Sequence, residues 1–444
     1  MSGSVGEFFG GSGRRIRDGV WGDVPIDRAA RMLLESDALS RLKGMRQLGF
    51  AAQAFPNARH TRFEHSVGVY YLTRLTLKRI IDSGAYLENR DVQGALAAAL
   101  LHDAARYPYA HAVEDIALPG IPPTQELSRR LIEDSSVADT LSEEWDLEPH
   151  NVFRLIVRGP GAEPHSMTPT EHLVRDILFG ALNVNALDCF IRDARGAKVP
   201  YAMLDAEALI QSLKIVGHEN RAILAVDEGA ASSLQSLVFC RYLMHYNVYG
   251  HQALRIPAVM FLRAVQDTVQ SGDVSPEKLA RQDDAGALVM VRDSAEPESS
   301  AATLTRRLID RRPYHRALEF DERHPSYVSL IRLREDASWR RRVEEAWARY
   351  LTRYHKGTAG PFDILIDLPR KYTFPMKLRL IRPASLPWER SLTDWQGLSG
   401  MTEEDMTRYH SPLHRIRIVT ATGDLAASVR RHAEELFTIA EEVG

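Results

Sequence analysis

The run Gly94–Leu101, GALAAALL, ends directly against His102 and Asp103. An alanine-leucine run reads as buried, yet the next two side chains are ionisable. Burying a carboxylate beside an imidazole is costly unless both are paired or bind a cation. A cation resolves the cost, because neutral imidazole and carboxylate are both ligands of first-row metals. The pattern predicts a helix capped by Asp91, with Leu96, Leu100 and Leu101 on apolar faces and the His-Asp pair at its far end. Upstream, in HTRFEHSVGV, Arg62 and His65 immediately precede a helical pattern over Val67–Ile81. One histidine from that helix and the His-Asp pair from the other supply three ligands and leave the site open for water and a phosphate oxygen. That arrangement suits metal-assisted hydrolysis. Spacing alone leaves a chance dipeptide as the alternative.

Composition sets the frame for this pair. The chain has 444 residues, 44% hydrophobic and 26% charged, which is ordinary globular usage with room for one large core or two smaller ones. A formal net charge of -3 gives no global case for a nucleic-acid or anionic-membrane surface. The arginine-rich RRLIDRRPYHR reads as a solvated helix face. Cys189 and Cys240 fit reduced thiols better than a disulfide framework. The N-terminus lacks an apolar signal core, and GALAAALL is too short to span a bilayer. The expectation is a cytoplasmic protein without a membrane partner.

Helical signals dominate from about Asp27 to Val269, with IDRAARMLLESDALSRLKGMRQLG stopping at Gly49 and a long helix interrupted around Gly250. GPGAEPHSMTPTE has turn character and RDSAEPESSAA reads as an exposed loop or linker. Strand-like pieces, DILIDLP, MKLRLI and RIRIVTA, follow near the C-terminus. DLAASVRRHAEELFTIAEEV reads as an amphipathic helix capped by Asp424. The expected fold is mainly α. Residues 1–26 form a flexible N-terminal segment and lead-in, 27–270 a helical domain, and 271–444 a smaller helical and α+β region.

Four motifs occur in order: IRDGVWGDVPI; MRQLGFAAQAFPNARHTRFEHSVGVYYLTRL with ALLHDAARYPYAHAVED; LNVNALDCFIRDA; and RYLMHYNVYGH. Together they resemble the HD superfamily of metal-dependent phosphohydrolases, nearest the branch of deoxynucleoside triphosphate triphosphohydrolases that includes the dGTPases. The likeness thins beyond residue 280. It implies an HD-domain helical bundle and a divalent metal ion (Mn, Mg, Fe or Zn) on His65, His102, Asp103 and Asn185. Asn183 and Asn185 stand where the family motif has aspartates, so the fourth ligand brings no charge. His111 and Glu114 match the pair that handles the attacking water or the leaving group. Gln47, Arg62, Asp193, Arg241, His245 and Tyr249 match residues that hold triphosphate and sugar. Arg106 stands where many members have histidine. Cys189 replaces an aromatic residue against the sugar, which puts selection of deoxyribose in doubt. The resemblance also implies a nucleotide as substrate or ligand and assembly as a homo-oligomer; no nucleic-acid motif is visible.

Two function classes follow. One is an enzyme that releases nucleoside and triphosphate from a (deoxy)nucleoside triphosphate. The other is a catalytically weakened HD module that binds a nucleotide as a regulatory or sensing subunit, which Asn183, Asn185, Arg106 and Cys189 favour. A non-haem iron oxygenase also fits two histidines and a carboxylate, but the triphosphate-binding row argues against it.

Overall fold

The computed structural model describes residues 14–113, 121–157, 167–218, 221–354, 359–370, 379–382, 391–394, 399–400 and 402–443. The fold is mainly α with small sheets, as the periodicity predicts. The chain enters through an antiparallel hairpin, β1 (Arg14–Asp18) and β2 (Gly22–Ile26). The lead-in expected before residue 27 is this hairpin, held where Asp18 finds a buried partner in Arg192 across the molecule. Residues 1–13 lie outside the described residues.

The bundle opens with α1 (Arg28–Glu35) and α2 (Asp37–Arg41), broken at Ser36, whose side chain caps the second helix. Its centre is α3 (Arg62–Asp82) against α4 (Asn89–Leu101). A reciprocal capping box starts α3: Thr61 accepts from Glu64 N, and Glu64 accepts from Thr61 N. This fixes the entry turn that carries Arg62 and His65. Along α4, Ala95, Ala97, Ala98 and Ala99 are all buried, so its short side chains let neighbouring helices approach closely. The cap of α4 is Glu88 rather than Asp91; Asp91 sits at the third position and reaches back to Glu88 N. The far end of α4 does deliver His102 and Asp103. Next come α5 (Ala110–Val113), α6 (Thr124–Glu133), α7 (Ser136–Trp145), α8 (Pro149–Ile156), α9 (Pro169–Phe179), α10 (Val184–Ala197) and α11 (Ala206–Gln211).

Helical expectation fails at β3 (Leu213–His218) and β4 (Arg221–Asp227), an antiparallel hairpin. It joins strands from the other end of the chain: β4 runs parallel to β7 (Arg379–Arg382), which pairs antiparallel with β8 (Ser391–Asp394). The long helix then appears as α12 (Ala231–Met244), a π-helical turn over His245–Tyr249, and α13 (Gln252–Gln270), with Gly250 at the break. After α14 (Pro276–Ala280), α15 (Asp284–Ser294) and α16 (Ser300–Ile309) pack with α13 around a second core. The linker expected at RDSAEPESSAA is the short connection between α15 and α16.

The C-terminal sheet is antiparallel, with β9 (Ile416–Thr420) between β5 (His315–Phe320) and β6 (Ile364–Asp367). Helix α18 (Ala337–Thr352) covers it, after α17 (Tyr327–Ile331). After α19 (Glu403–His410), the last stretch is two helices, α20 (Gly423–Arg431) and α21 (Ala433–Glu442), capped first by Thr422 and not by Asp424. Leu365 and Val419 extend from this sheet into the α13 core. Arg417, fully buried on β9, bonds Glu319 at 2.8 Å and Asp367 at 3.3 Å, and also donates to the Gly250 carbonyl. Among the described residues, no helix is long and apolar enough to cross a membrane.

Candidate metal centre and polar groove

The fold brings His65, His102 and Asp103 together, with one candidate ligand atom from each lying within 4.8 Å of the others, all three buried. The ring nitrogens facing away are committed. His65 Nδ1 lies 2.6 Å from Asp188 Oδ2, and His102 Nδ1 lies 2.8 Å from the Ala99 carbonyl. Both partners only accept, so in the neutral rings Nδ1 carries the proton and Nε2 the lone pair. The two Nε2 atoms then face each other at 3.3 Å, with Asn185 Oδ1 3.1 Å from that of His65. Two lone pairs beside a carboxylate repel one another, and a cation placed among them removes the repulsion. The donor set therefore fits a divalent metal.

Asp188 is the residue that aims His65. It accepts from Arg192 at 2.8 and 2.9 Å and from Trp21 Nε1 at 2.5 Å, and Arg192 in turn grips Asp18. Burial works against this carboxylate, but Arg192 and then His65 outweigh it and hold its pKa well below the usual range. A carboxylate behind a ligating imidazole is the arrangement that fixes tautomer and ring orientation at metal sites. Gly68, one turn after His65, lets this pair approach: a Cβ there would lie 1.9 Å from Asp188 Oδ1.

Asp103 lies between two guanidinium groups, Arg62 at 2.5 Å and Arg106 at 3.0 Å. Burial would raise its pKa; the guanidinium groups of Arg106 and Arg62 hold it well below the ordinary carboxylate value. Asn185 Oδ1 lies 3.1 Å from His65 Nε2, which places its amide beside the cluster. Asn183 does a different job. It caps α10, accepting from Ala186 N at 2.7 Å.

A polar groove continues along α10. Asn185, Cys189 and Asp193 recur at four-residue steps on one face, covering about 12 Å at 1.5 Å per residue. Asp193 accepts from Tyr249 Oη at 2.7 Å and from Cys189 Sγ at 3.2 Å on one oxygen, and meets His60 Nε2 at 2.7 Å on the other. Gln47 Nε2 lies 3.9 Å from Cys189 Sγ, and its buried Oε1 has no hydrogen-bond partner among the described residues. Burial and the Asp193 charge push the Cys189 thiol and the Tyr249 phenol up, so both stay protonated. Arg241, His245 and Tyr249 gather around the Phe190 ring at 5.7, 6.5 and 6.4 Å. Their spacing is not that of one straight α-helix, because the π-helical turn begins at His245. Such turns concentrate at functional sites.

His111 belongs to the short α5, and its side chain, like Glu114, lies outside the described residues. Sequence reasoning missed His60, Asp18, Trp21 and Arg192. The signal for His60 was present in HTRFEH, where it is the first of two histidines; its use depends on α10 folding alongside.

The family model that matches is described as an HD associated region and covers residues 204–374. A protein of Methanocaldococcus jannaschii is 24% identical over 279 residues, 63% of this chain and 55% of that protein. The deoxynucleoside triphosphate triphosphohydrolase SAMHD1 of Bos taurus is 23% identical over 275 residues, 56% of this chain and 46% of that protein. The chain spans about half the length of these curated relatives. The crystal structure of a phosphohydrolase from Bacteroides thetaiotaomicron superposes with a TM-score of 0.70 at 16% identity, covering 92% of this chain and all of that one, a likeness of fold. With the His-His-Asp cluster set at the junction of α3 and α4, the chain is similar to the HD associated region over residues 204–374 and, at low identity, to phosphohydrolases of the HD superfamily.

Proposed function

We propose that the protein hydrolyses a nucleoside triphosphate, deoxy or ribo, to nucleoside and triphosphate. The observation that carries this reading is the buried cluster of His65, His102 and Asp103, its two Nε2 atoms 3.3 Å apart, beside the polar stripe of α10. A divalent cation bound there supplies Lewis acidity and a more acidic water. In this reading the oxygen of water bonds to the α-phosphorus, the bond from phosphorus to the sugar oxygen breaks, and the departing oxygen takes a proton. Gln47, Asp193 and Tyr249 offer hydrogen bonds to a sugar. Arg62, Arg241 and His245 offer positive or proton-donating groups to the phosphates, for which the planar guanidinium is well shaped. His111 and Glu114 are assigned to proton handling on the resemblance alone. Assembly as a homo-oligomer and a cytoplasmic location belong to the same proposal; the free thiols of Cys189 and Cys240 accord with a reducing compartment.

The test is a panel of deoxy- and ribonucleoside triphosphates with Mn2+ or Mg2+, with products followed by phosphorus NMR. Triphosphate release supports the proposal; nucleotide bound without turnover sinks it in favour of the regulatory module. One observation favours that second reading: Arg106 occupies an oxygen of Asp103 while Asn185 brings no charge. Asn185→Asp should therefore tighten Mn2+ binding by about tenfold or more, since it adds one negative charge beside a dication. Calorimetric titration measures it, and an unchanged affinity refutes the placement of Asn185 next to the metal.

A further inference from the structure

Residues 102–109 join the ligand pair to α5 with turns and no regular helix, so their backbone groups need partners outside a helical ladder. The Ala104 and Arg106 amides bond to the Leu101 and Asp103 carbonyls, and two side chains supply further partners. Arg41 donates through Nη2 to the carbonyls of Ala104 (2.8 Å) and Arg106 (2.9 Å), and through Nη1 to that of Gln282 (2.8 Å). Asp284, the first residue of α15, accepts from Tyr109 N at 3.1 Å with one oxygen and from Arg46 N at 2.8 Å with the other. Tyr109 has a left-handed backbone, φ 49°, which costs a non-glycine residue energy unless its surroundings enforce it. Its ring stacks on Phe50 with centroids 4.0 Å apart.

The Arg46 end of this contact leads to the groove. Arg46 bridges to Thr61, Gln47 N donates to the His60 carbonyl, and Arg62 N donates to the Met45 carbonyl. Residues 45–47 and 60–62 are thus laced together, and they carry Gln47, His60 and Arg62. The Tyr109 end leads back through Arg106 to Asp103. Asp284 is buried and comes from a helix that contributes no metal ligand and no groove residue.

We infer that Asp284 is a positioning residue, one carboxylate from α15 that sets the metal-side loop and the groove-side segment at a fixed separation. The consequence for catalysis rests on the metal reading above, whereas the clamp itself is a statement about two amides and can be tested without it. Asparagine is the informative substitution, since its single oxygen satisfies one N–H while its amide group faces the other.

In Asp284→Asn, hydrogen-exchange protection at the Arg46 and Tyr109 amides should fall at least tenfold. Mn2+ affinity should fall several-fold, while the thermal midpoint moves little. Loss of protection with unchanged Mn2+ affinity would reduce Asp284 to an anchor for α15 and overturn the inference. So would unchanged protection. If wild-type protein binds no Mn2+, the metal reading fails and the amide protection still decides the clamp.

Wild-type protein offers a second arm should the variant not fold. Burial raises the Asp284 pKa to about 6. The charged groups facing it are Arg62 and Asp283, with Arg41 nearby and the Arg46 side chain beside Tyr109. A carboxyl with a raised folded pKa stabilises the fold below its unfolded value and loses that contribution as pH rises through about 6. The amide shifts of Arg46 and Tyr109 should therefore titrate together with one midpoint near 6. Two unrelated midpoints, or none, would show that they do not share a carboxylate.

Discussion

Asp103→Ala is expected to abolish Mn2+ binding and any metal-dependent turnover, and to destabilise the fold by about 3–5 kcal/mol, the usual cost of removing one partner from a buried charge pair. Both effects come from one position. Asp103 is the only carboxylate among the three clustered ligands, so without it two neutral imidazoles hold a dication weakly. It is also the counter-charge of buried Arg62, which would be left against His65 and His102. Arg106 is about a quarter exposed and can turn to solvent, so its share of the loss is small. Calorimetry with Mn2+ and urea unfolding measure the two effects separately. Wild-type Mn2+ affinity in the variant would rule out the proposed centre.

Asp188→Asn tests what stands behind the ligands. The amide offers one acceptor where His65, Arg192 and Trp21 now share two charged oxygens. Arg192 keeps Asp18, so the stability loss should sit at the lower end of the buried-pair range, about 3 kcal/mol. Metal affinity should drop by about 10–100-fold, the typical effect of losing the group that orients a ligating histidine. The ring would be free to turn, and the tautomer with Nδ1 unprotonated would become accessible. Mn2+ titration of a folded Asp188→Asn protein decides it; an affinity within twofold of wild type would show that Asp188 does nothing for the metal.

The cluster of His65, His102 and Asp103 was legible in the sequence because its chemistry is local. An alanine-rich helix that stops at His-Asp, and a histidine set beside the start of the helical pattern over Val67–Ile81, place three side chains with little help from the rest of the chain. The residues along α10 and the turn after α12 were singled out only through the resemblance that the motif order carries. What the sequence hid depends on distant pairing. ILAVD in β4 resembles a buried helical segment until Leu380 and Ile381 of β7 lie alongside Val226 and Asp227. Trp21 and Asp18 look like turn residues until Asp188 and Arg192 face them from α10. His60 is one more histidine in a loop until Asp193 meets its Nε2. Asp284 sits in a stretch that composition marks as a mixed connection, and its two bonds are to backbone groups, which carry no side-chain signature.

Arg417 has a consequence for how the molecule is made. Its guanidinium covers the Gly250 carbonyl, the last acceptor of the turn that carries His245 and Tyr249, from a position 167 residues downstream. Domains tend to fold in the order in which they leave the ribosome. The bundle can gather its helices early, but that turn is finished only after β9 has been synthesised and has inserted between β5 and β6. A nascent chain would thus gather His65, His102 and Asp103 before the turn around His245 and Tyr249 is braced, and that turn would mature after the bundle.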